Sequence, residues 1–381
     1  MKIAQLIWSL RRGGAEKACL DISGELIRRG HDVSIITLSP VHEWNDEGCG
    51  AHSGVRAVPM FRDRAPRWRE DLPLLSWRLR QHLRTRQPAV VHSHGLASTI
   101  ASFRAGGPPH IATLHGARSA PLGGAGRPAD ILNRMLYRQA VFSRPAILTV
   151  TTREAVPLAC QRLRLSSSRV RVIPNGVDLA SGLPGPGTVD RGACRVGMVG
   201  SLIEVKNHVF AVEVLRALRD MGIDASLAIC GEGHLRERLV DQICTLRLED
   251  HVHLLGQCAD VGSFLRSIDV FWMTSLSEGH SIALLEAMAA AVPCVVVDTP
   301  GLGAFAREWD CALVVPAGDV QALAEATACL LRDHGWAREM AWRGYSVVRT
   351  HFTLKRTVEE YEQLYETVCH SGGVHRQSEG G

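Results

Sequence analysis

Aromatic residues make up only 5% of the chain, and none of its 11 cysteines stands in a C-x-x-C pair. Scarce aromatics beside abundant Ala, Val, Leu and Gly argue against an all-β fold and for helices alternating with buried strands. The cysteines are scattered through apolar stretches, as at Cys194, Cys230 and Cys294. They read as small core hydrophobes in a reducing compartment. No G-x-G-x-x-G follows the first apolar run, which disfavours a nicotinamide dinucleotide site. No D-x-D occurs, so no acidic pair is placed to bridge a metal to a diphosphate. Long hydrophobic runs are missing too. The run after Lys2 ends at Arg11 and Arg12, and the stretch 282–297 is broken by Glu286 and Pro293. Neither suits a signal peptide or a membrane span. The expectation is a cytoplasmic protein, with any membrane contact peripheral at the inner face.

What is present is a chain of 381 residues, 46% hydrophobic, enough for two domains each with its own core. Its net charge of +4 conceals an asymmetry. Residues 1–190 hold 26 Lys+Arg against 14 Asp+Glu, or +12, which leaves −8 for the remainder. A basic first half suggests an anionic partner there, such as a phospholipid surface, a lipid-linked phosphate or an acidic glycan. The alternative is arginine used for solubility. Nucleic acid is not expected, because the basic groups are not interleaved with aromatics. One stretch concentrates the pattern: Arg62, Arg64, Arg67, Arg69, Arg78, Arg80, Arg84 and Arg86, with Trp68, Leu72, Leu74, Leu75, Trp77 and Leu79 among them. Such a segment either lies on an anionic surface or packs its apolar groups into the core.

The hydrophobic pattern predicts strands at Ile3–Trp8, Val33–Leu38, Ala89–His92, Ile111–Leu114 and Ile147–Val150, with helices at 14–29 and 72–86. Near 174–193 the periodicity collapses into Pro and Gly, which reads as a linker. The rhythm restarts with strands at Arg195–Val199, Ala225–Cys230, Val252–Leu255, Val270–Met273 and Cys294–Val297. Helices are predicted at 207–221, 234–246, 282–291, 319–333 and 336–349, with an amphipathic tail at 353–370. The predicted division is 1–175, a linker at 176–193, a second domain at 194–350, a helix at 351–370, and a disordered tail at 371–381. Both domains read as Rossmann-like α/β folds with doubly wound parallel sheets, facing a cleft at the carboxyl ends of their strands.

The strongest motif is Ser275-Leu-Ser-Glu278-Gly279-His280-Ser281-Ile282, continuing to Leu284-Leu285-Glu286-Ala-Met288. A strand precedes it and a helix follows, so the N–H groups of His280, Ser281 and Ile282 open a helix and could cradle phosphates. Glu286 lies about two turns inside. An acid beside a phosphate site suits hydroxyl binding, which makes sugar and ribose natural partners. The alternative is one Glu balancing the helix dipole and a second on a solvated face.

At these residues the chain resembles the glycosyltransferases of family four, the "glycosyl transferases group 1" with the two-domain GT-B fold. Their hallmark is E-x7-E, here Glu278 and Glu286. The resemblance implies that Glu278 holds the hydroxyls of the transferred sugar, Glu286 the ribose, and the intervening amides with Gly279 the diphosphate. It covers nearly the whole chain. Gly13-Gly14-Ala15-Glu16 is similar to the family's phosphate-approaching loop, which implicates Gly14. His92-Ser-His94-Gly95 and Thr113-Leu-His115-Gly116 are similar to its two His-Gly strand ends, and the second implies that His115 faces the reacting sugar. A metal site at the three histidines would need further ligands that no spacing supplies. Pro174-Asn175-Gly176-Val177-Asp178 is similar to its hinge, and Phe352 to Tyr365 resembles its closing helix, which implies that the helix at 351–370 returns to the first domain. Cys230-Gly231-Glu232-Gly233 and His253-Leu254-Leu255-Gly256 are similar to the loops flanking the nucleotide, which implicates Leu255.

The implied activity is retaining hexosyl transfer from a nucleotide-diphosphate sugar, expected to be a UDP-sugar. The acceptor would be a hydroxyl of a glycan, lipid-linked or small-molecule compound, as in cell-surface polysaccharide biosynthesis. No cofactor or metal is implied beyond the nucleotide-sugar co-substrate. Donor contacts are expected from Gly14, Ser201, Lys206, Leu255, Glu278, Gly279, His280, Ser281, Ile282 and Glu286, and catalytic roles for His115, Lys206 and Glu278. One departure stands out. The family has G-R-L with a Lys five residues beyond the Arg, whereas this chain has Gly200-Ser201-Leu202 and then Lys206. A lone Lys lacks the bidentate fork of Arg. Arg11, Arg12 and Arg118 are possible substitutes. A sugar-nucleotide 2-epimerase, and a non-catalytic sugar-nucleotide-binding paralogue of the same fold, are the competing readings.

Overall fold

The structure is a computed structural model. It describes residues 1–11, 13–40, 56–61, 66–67, 70–116, 128–142, 146–179 and 194–377. The chain divides into two compact units, Met1–Asn175 with Leu354–Gly381, and Gly176–Thr353.

In the first unit the strands are β1 (Lys2–Ile7), β2 (Asp32–Thr37), β3 (Arg56–Pro59), β4 (Val90–His94), β5 (His110–Leu114), β6 (Ala146–Val150) and β7 (Val170–Val172). They form one sheet in the order β3-β2-β1-β4-β5-β6-β7. Every pairing is parallel. β4 and β5 are buried along their whole length, as unbroken runs covered by helices on both faces must be. One face is closed by helices Leu72–Arg86, Leu96–Ala105, Pro128–Phe142 and Ala155–Leu163, around Leu75, Leu79, Ile100, Tyr137 and Ala159. The other is closed by Gly14–Arg28 and by Leu354–Gln377, whose Leu354, Val358, Tyr361, Leu364, Tyr365 and Val368 pack on Ile3, Val33, Val90 and Ile111. The last helix of the chain therefore supplies a wall of the first core.

The second unit has β8 (Cys194–Val199), β9 (Ala225–Cys230), β10 (Val252–Gly256), β11 (Val270–Met273), β12 (Cys294–Asp298) and β13 (Leu313–Pro316). Their order is β10-β9-β8-β11-β12-β13, again all parallel. Its helices are His208–Asp220, Arg236–Thr245, Val261–Arg266, Ile282–Ala289, Leu302–Trp309, Val320–Arg332 and His334–His351. Short polar caps start several of them. Asp319 accepts from the Ala322 N–H at 2.9 Å and Asp333 from the Trp336 N–H at 2.9 Å. Both sheets are Rossmann-like and doubly wound, as expected from the βαβ rhythm.

Several expectations are corrected. The final helix continues to Gln377, where 371–381 reads as structureless. A helix already nucleated extends at little cost, and no proline stops this one. The short strands β3, β7 and β13 were not predicted. β4 starts at Val90 and extends to His94 rather than stopping at His92. Cys230 is not a lone apolar filler, because it is disulfide-bonded to Cys258 with Cα atoms 5.7 Å apart. In the arginine-rich stretch, Leu72, Leu75 and Leu79 are core, while Leu74 and Trp77 are exposed. Arg78 donates to the Met60 carbonyl and lies over the Phe61 ring, and Arg80 donates to the Ala105 carbonyl. Arg12, Arg62, Arg64, Trp68, Arg69, Arg118 and the linker residues 180–193 lie outside the described residues.

Candidate functional site

In a doubly wound sheet the crevice for a ligand opens where the strand order reverses. In the second unit this point lies between β8 and β11, which pair directly while their onward connections run to opposite edges. The loops leaving these two strands carry Ser201, Lys206 and Glu278.

Backbone contacts hold these loops together. The Gly200 N–H donates to the Cys230 carbonyl at 3.0 Å and the Leu202 N–H to the Glu232 carbonyl at 2.9 Å. A Cβ on Gly231 would lie 1.9 Å from the Gly200 oxygen, and one on Gly233 2.4 Å from the Leu202 oxygen. Only glycine permits this approach. The Leu276 N–H donates to the Val205 carbonyl at 2.8 Å and the Thr274 hydroxyl to the Lys206 carbonyl at 2.9 Å, which ties the β11 loop to the β8 loop. Gly301, at φ +87°, backs the site from beyond β12, because a Cβ there would fall 2.3 Å from the Glu278 carbonyl oxygen.

The outcome is a direct ion pair. Lys206 Nζ donates to Glu278 Oε1 at 2.5 Å, with side chains 22% and 13% exposed. Lys206 is thus not a solvated helix-start residue, and Glu278 does not simply face the helix dipole. Ser281 caps the helix Ile282–Ala289, its hydroxyl accepting from the Leu284 N–H at 3.4 Å. The N–H groups of the first turn have no intrahelical partners, and Gly279, half-buried, precedes them. The His280 ring is buried against Phe305 and Phe352, with centroids 5.0 and 4.7 Å away, so its side chain is spent on packing and its main chain stands at the helix mouth. Glu286 is half-buried one to two turns further along. Leu255, at the end of β10, is 50% exposed, an apolar surface beside the Glu232 loop.

His208 is a neighbour that sequence reasoning missed. Its Nε2–H donates to the Ser201 carbonyl at 3.2 Å, and burial, with a smaller contribution from the nearby Lys206 cation, pushes its pKa down to about 4. A neutral ring therefore braces the loop in which the family's arginine is absent. Its only signal was a histidine opening the helix after Lys206. Of the possible arginine substitutes, Arg11 is exposed in the first unit, and Arg12 and Arg118 lie outside the described residues.

In the first unit, Gly13 leaves room for the Glu16 carboxylate, which lies 2.5 Å from where a Cβ would stand. Gly14 is exposed, and among the described residues nothing lies within 4 Å of where its Cβ would stand. His115 follows β5, and burial pushes its pKa down to about 4. Its Nε2 is 2.8 Å from His94 Nδ1, while its Nδ1 has no partner among the described residues. The nitrogens of His92 and His94 are engaged by Tyr365, Thr113, Gln5 and His115. Among the described residues no group of three or more His, Cys, Asp or Glu is placed to hold a metal ion.

A cation, a carboxylate and a helix N-terminus meet at one switch point, the equipment for binding a phosphorylated polyol. Comparison with known proteins gives the class. "Glycosyltransferase Family 4" matches residues 12–181 and "Glycosyl transferases group 1" matches residues 190–347. The chain belongs to the family-4 glycosyltransferases of GT-B fold. It is 27% identical to the phosphatidyl-myo-inositol mannosyltransferase of Mycobacterium leprae (strain TN) over 371 residues, 94% of each chain. With two other curated relatives the match spans half or less of the relative's length. Among solved structures, sucrose-phosphate synthase from Thermosynechococcus elongatus superposes with a TM-score of 0.81 at 20% identity, covering 97% of this chain and all of that one. Anabaena HepE in complex with UDP-glucose gives 0.78 at 17% identity, covering 96% and 100%. No helix among the described residues is long and apolar enough to cross a membrane.

Proposed function

We propose that this glycosyltransferase moves a hexose from a UDP-sugar to an acceptor hydroxyl with retention at the anomeric carbon and without a divalent metal. The Lys206–Glu278 pair at the switch point carries the reading. The diphosphate takes Lys206 and the first-turn amides, the sugar hydroxyls take Glu278, and the ribose takes Glu286. Leu255 offers its apolar surface to the nucleotide. As the C1–O bond to the β-phosphate breaks, charge gathers on the departing diphosphate, where Lys206 and the helix terminus stabilise it. The acceptor oxygen bonds to C1 from the same face and its proton passes to the leaving phosphate oxygen, so no protein nucleophile is required. The family resemblance assigns His115 to the sugar as well.

A UDP donor is supported by the UDP-glucose complex of HepE. A lipid-linked or anionic acceptor is supported by the basic first half, by exposed Leu74, Trp77, Arg84 and Arg86 on one helix, and by the phosphatidyl-inositol in the relative's name. The test is UDP release from a panel of UDP-sugars with and without lipid-linked, glycan and soluble acceptors, in EDTA and with added magnesium or manganese. Acceptor-dependent release that persists in EDTA, with an α-linked product from an α-linked donor, is expected. Inversion of the linkage, or activity only with metal, refutes the corresponding part.

A further inference from the structure

Above the C-terminal ends of β1, β4 and β5 lies a chain of buried polar side chains that no donor contact uses. Each link is a hydrogen bond. Thr149 Oγ1 lies 3.4 Å from the Ala112 carbonyl and 2.5 Å from Thr113 Oγ1. Thr113 Oγ1 lies 2.7 Å from His92 Nε2, and His92 Nδ1 lies 2.8 Å from the Tyr365 hydroxyl. Gln5 Nε2 is 3.2 Å from that hydroxyl, and Gln5 Oε1 is 2.8 Å from His94 Nε2. His94 Nδ1 meets His115 Nε2 at 2.8 Å. Tyr361 flanks the threonines, 3.1 Å from Thr113. His92, Thr113, Thr149, Gln5 and Tyr365 are fully buried and His94 nearly so.

The Gln5 amide, with Nε2 toward Tyr365 and Oε1 toward His94, sets the direction of the bonds that reach His115. At the threonine end, a Thr149 hydroxyl that donates to the Ala112 carbonyl accepts from Thr113, with the Tyr361 hydroxyl 3.5 and 3.1 Å from the two threonines. Thr113 then accepts from His92 Nε2–H. A neutral imidazole has one donor and one acceptor, so His92 Nδ1 accepts from the Tyr365 hydroxyl. The Tyr365 oxygen accepts from the Gln5 amide N–H, and Gln5 Oε1 accepts from His94 Nε2–H. This is the amide orientation the side chain has. His94 Nδ1 accepts from His115 Nε2–H, and His115 Nδ1 is left as a bare lone pair, buried and without a partner among the described residues. A proton on any histidine would break the order. Burial holds His92 and His94 well below the usual range, with the charge of neighbouring histidines adding to it, and holds His115 at about 4.

We propose that Gln5, His94 and Tyr365 are positioning residues that lock His115 in its Nε2–H tautomer, so that the first unit presents a hydrogen-bond acceptor, selective for a ligand hydroxyl over a ligand carbonyl or phosphate. This rests on the proposed function only for what the ligand is. The tautomer itself stands on the hydrogen bonds.

Long-range 1H–15N spectra of protein labelled at histidine nitrogen read the tautomer directly, with His115 assigned by the signal lost in His115→Gln. Nε2–H in the wild type is expected, and Nδ1–H overturns the proposal whether or not the protein transfers sugar. Gln5→Glu is nearly isosteric and supplies the discriminating readout. The groups facing His94 are His92 on its own strand, His115 after β5 and residue 5 on β1, while Tyr361 and Tyr365 of the last helix face His92. A carboxylate at position 5 favours a proton on His94, whose Nδ1–H then donates to His115 and turns it into the Nδ1–H form. For a lost acceptor, kcat/KM should fall about tenfold below the new His94 pKa. It should return to within about twofold of wild type above that pKa, once His94 has lost the proton. A loss equal at all pH values indicates packing damage and counts against the relay. If Gln5→Glu does not fold, Tyr365→Phe, which removes the acceptor of the Gln5 amide N–H, should show both His115 tautomers. A single unchanged tautomer there removes Tyr365 from the relay. Absence of turnover in a wild type that shows the Nε2–H form refutes the transferase reading and leaves the relay standing.

Discussion

Because Lys206 and Glu278 neutralise each other at 2.5 Å in the ligand-free protein, a nucleoside diphosphate must compete with the carboxylate for the ammonium. Glu278→Gln should therefore tighten binding of UDP alone, although the same change slows transfer. Exposed ion pairs contribute about 0.2–1 kcal/mol, and this one is only 22% and 13% exposed, which places it at the upper end. Release of about 0.5–1 kcal/mol corresponds to UDP binding roughly two- to fivefold tighter. Lys206→Ala should weaken UDP about tenfold to a hundredfold, the contribution of a charge-assisted hydrogen bond. In the double variant the tightening should vanish, because no ammonium remains to be released. Calorimetry of UDP with the four proteins, at one pH and about 0.15 M salt to fix screening, closes the cycle. Weaker UDP binding in Glu278→Gln would refute the competition. Tightening that survives in the Lys206→Ala background would show that the carboxylate merely repels the phosphates, and that the ion pair plays no part.

Two further outcomes follow from the same loops. Glu286→Ala should weaken UDP by about tenfold, the loss of a charged hydrogen-bond partner for the ribose, with little change for a sugar phosphate lacking the nucleoside. Calorimetry with both ligands checks it, and equal weakening of the two would move Glu286 away from the ribose. Gly301→Ala places a Cβ 2.3 Å from the Glu278 carbonyl at φ +87°, a strain of about 1–3 kcal/mol, so turnover should fall more than UDP affinity as Glu278 shifts. Steady-state kinetics beside UDP titration would sink this if the two change together.

Much of the architecture was legible because long elements announce themselves. β1, β9 and β11 are apolar runs bounded by polar turns, and the motif from Ser275 to Met288 lies on the strand–loop–helix expected of it. β3, β7 and β13 were not legible, because three or four residues at a sheet edge carry no measurable period. Pairings across the chain were equally hidden. Gln5 meets Tyr365 over 360 residues, and Cys230 meets Cys258 over 28, with nothing in either neighbourhood to name its partner. His280 read as part of the phosphate loop through its backbone N–H, whereas the place of its ring against Phe305 and Phe352 depends on two elements still to come in the chain. Spacing located the charges of the site. The glycines at 231, 233 and 301 that bring its loops together acquire their reason only from atoms that would collide.

The last helix, Leu354–Gln377, belongs to the unit that the chain began, so the second unit is inserted within the first. During synthesis, residues 176–353 emerge as an uninterrupted stretch that can complete its own sheet. Residues 1–175 must wait. Until Tyr361 and Tyr365 leave the ribosome, only the helix Gly14–Arg28 is there to cover the face carrying Ile3, Val90 and Ile111, and the polar chain through His92 lacks the Tyr365 hydroxyl. Nascent chains of this protein thus hold an apolar sheet face open for the time needed to translate about half the sequence, an interval of roughly ten seconds or more at ordinary elongation rates. In this topology the earliest residues made are among the last to be stabilised, and dependence on chaperones should be concentrated in the amino-terminal half.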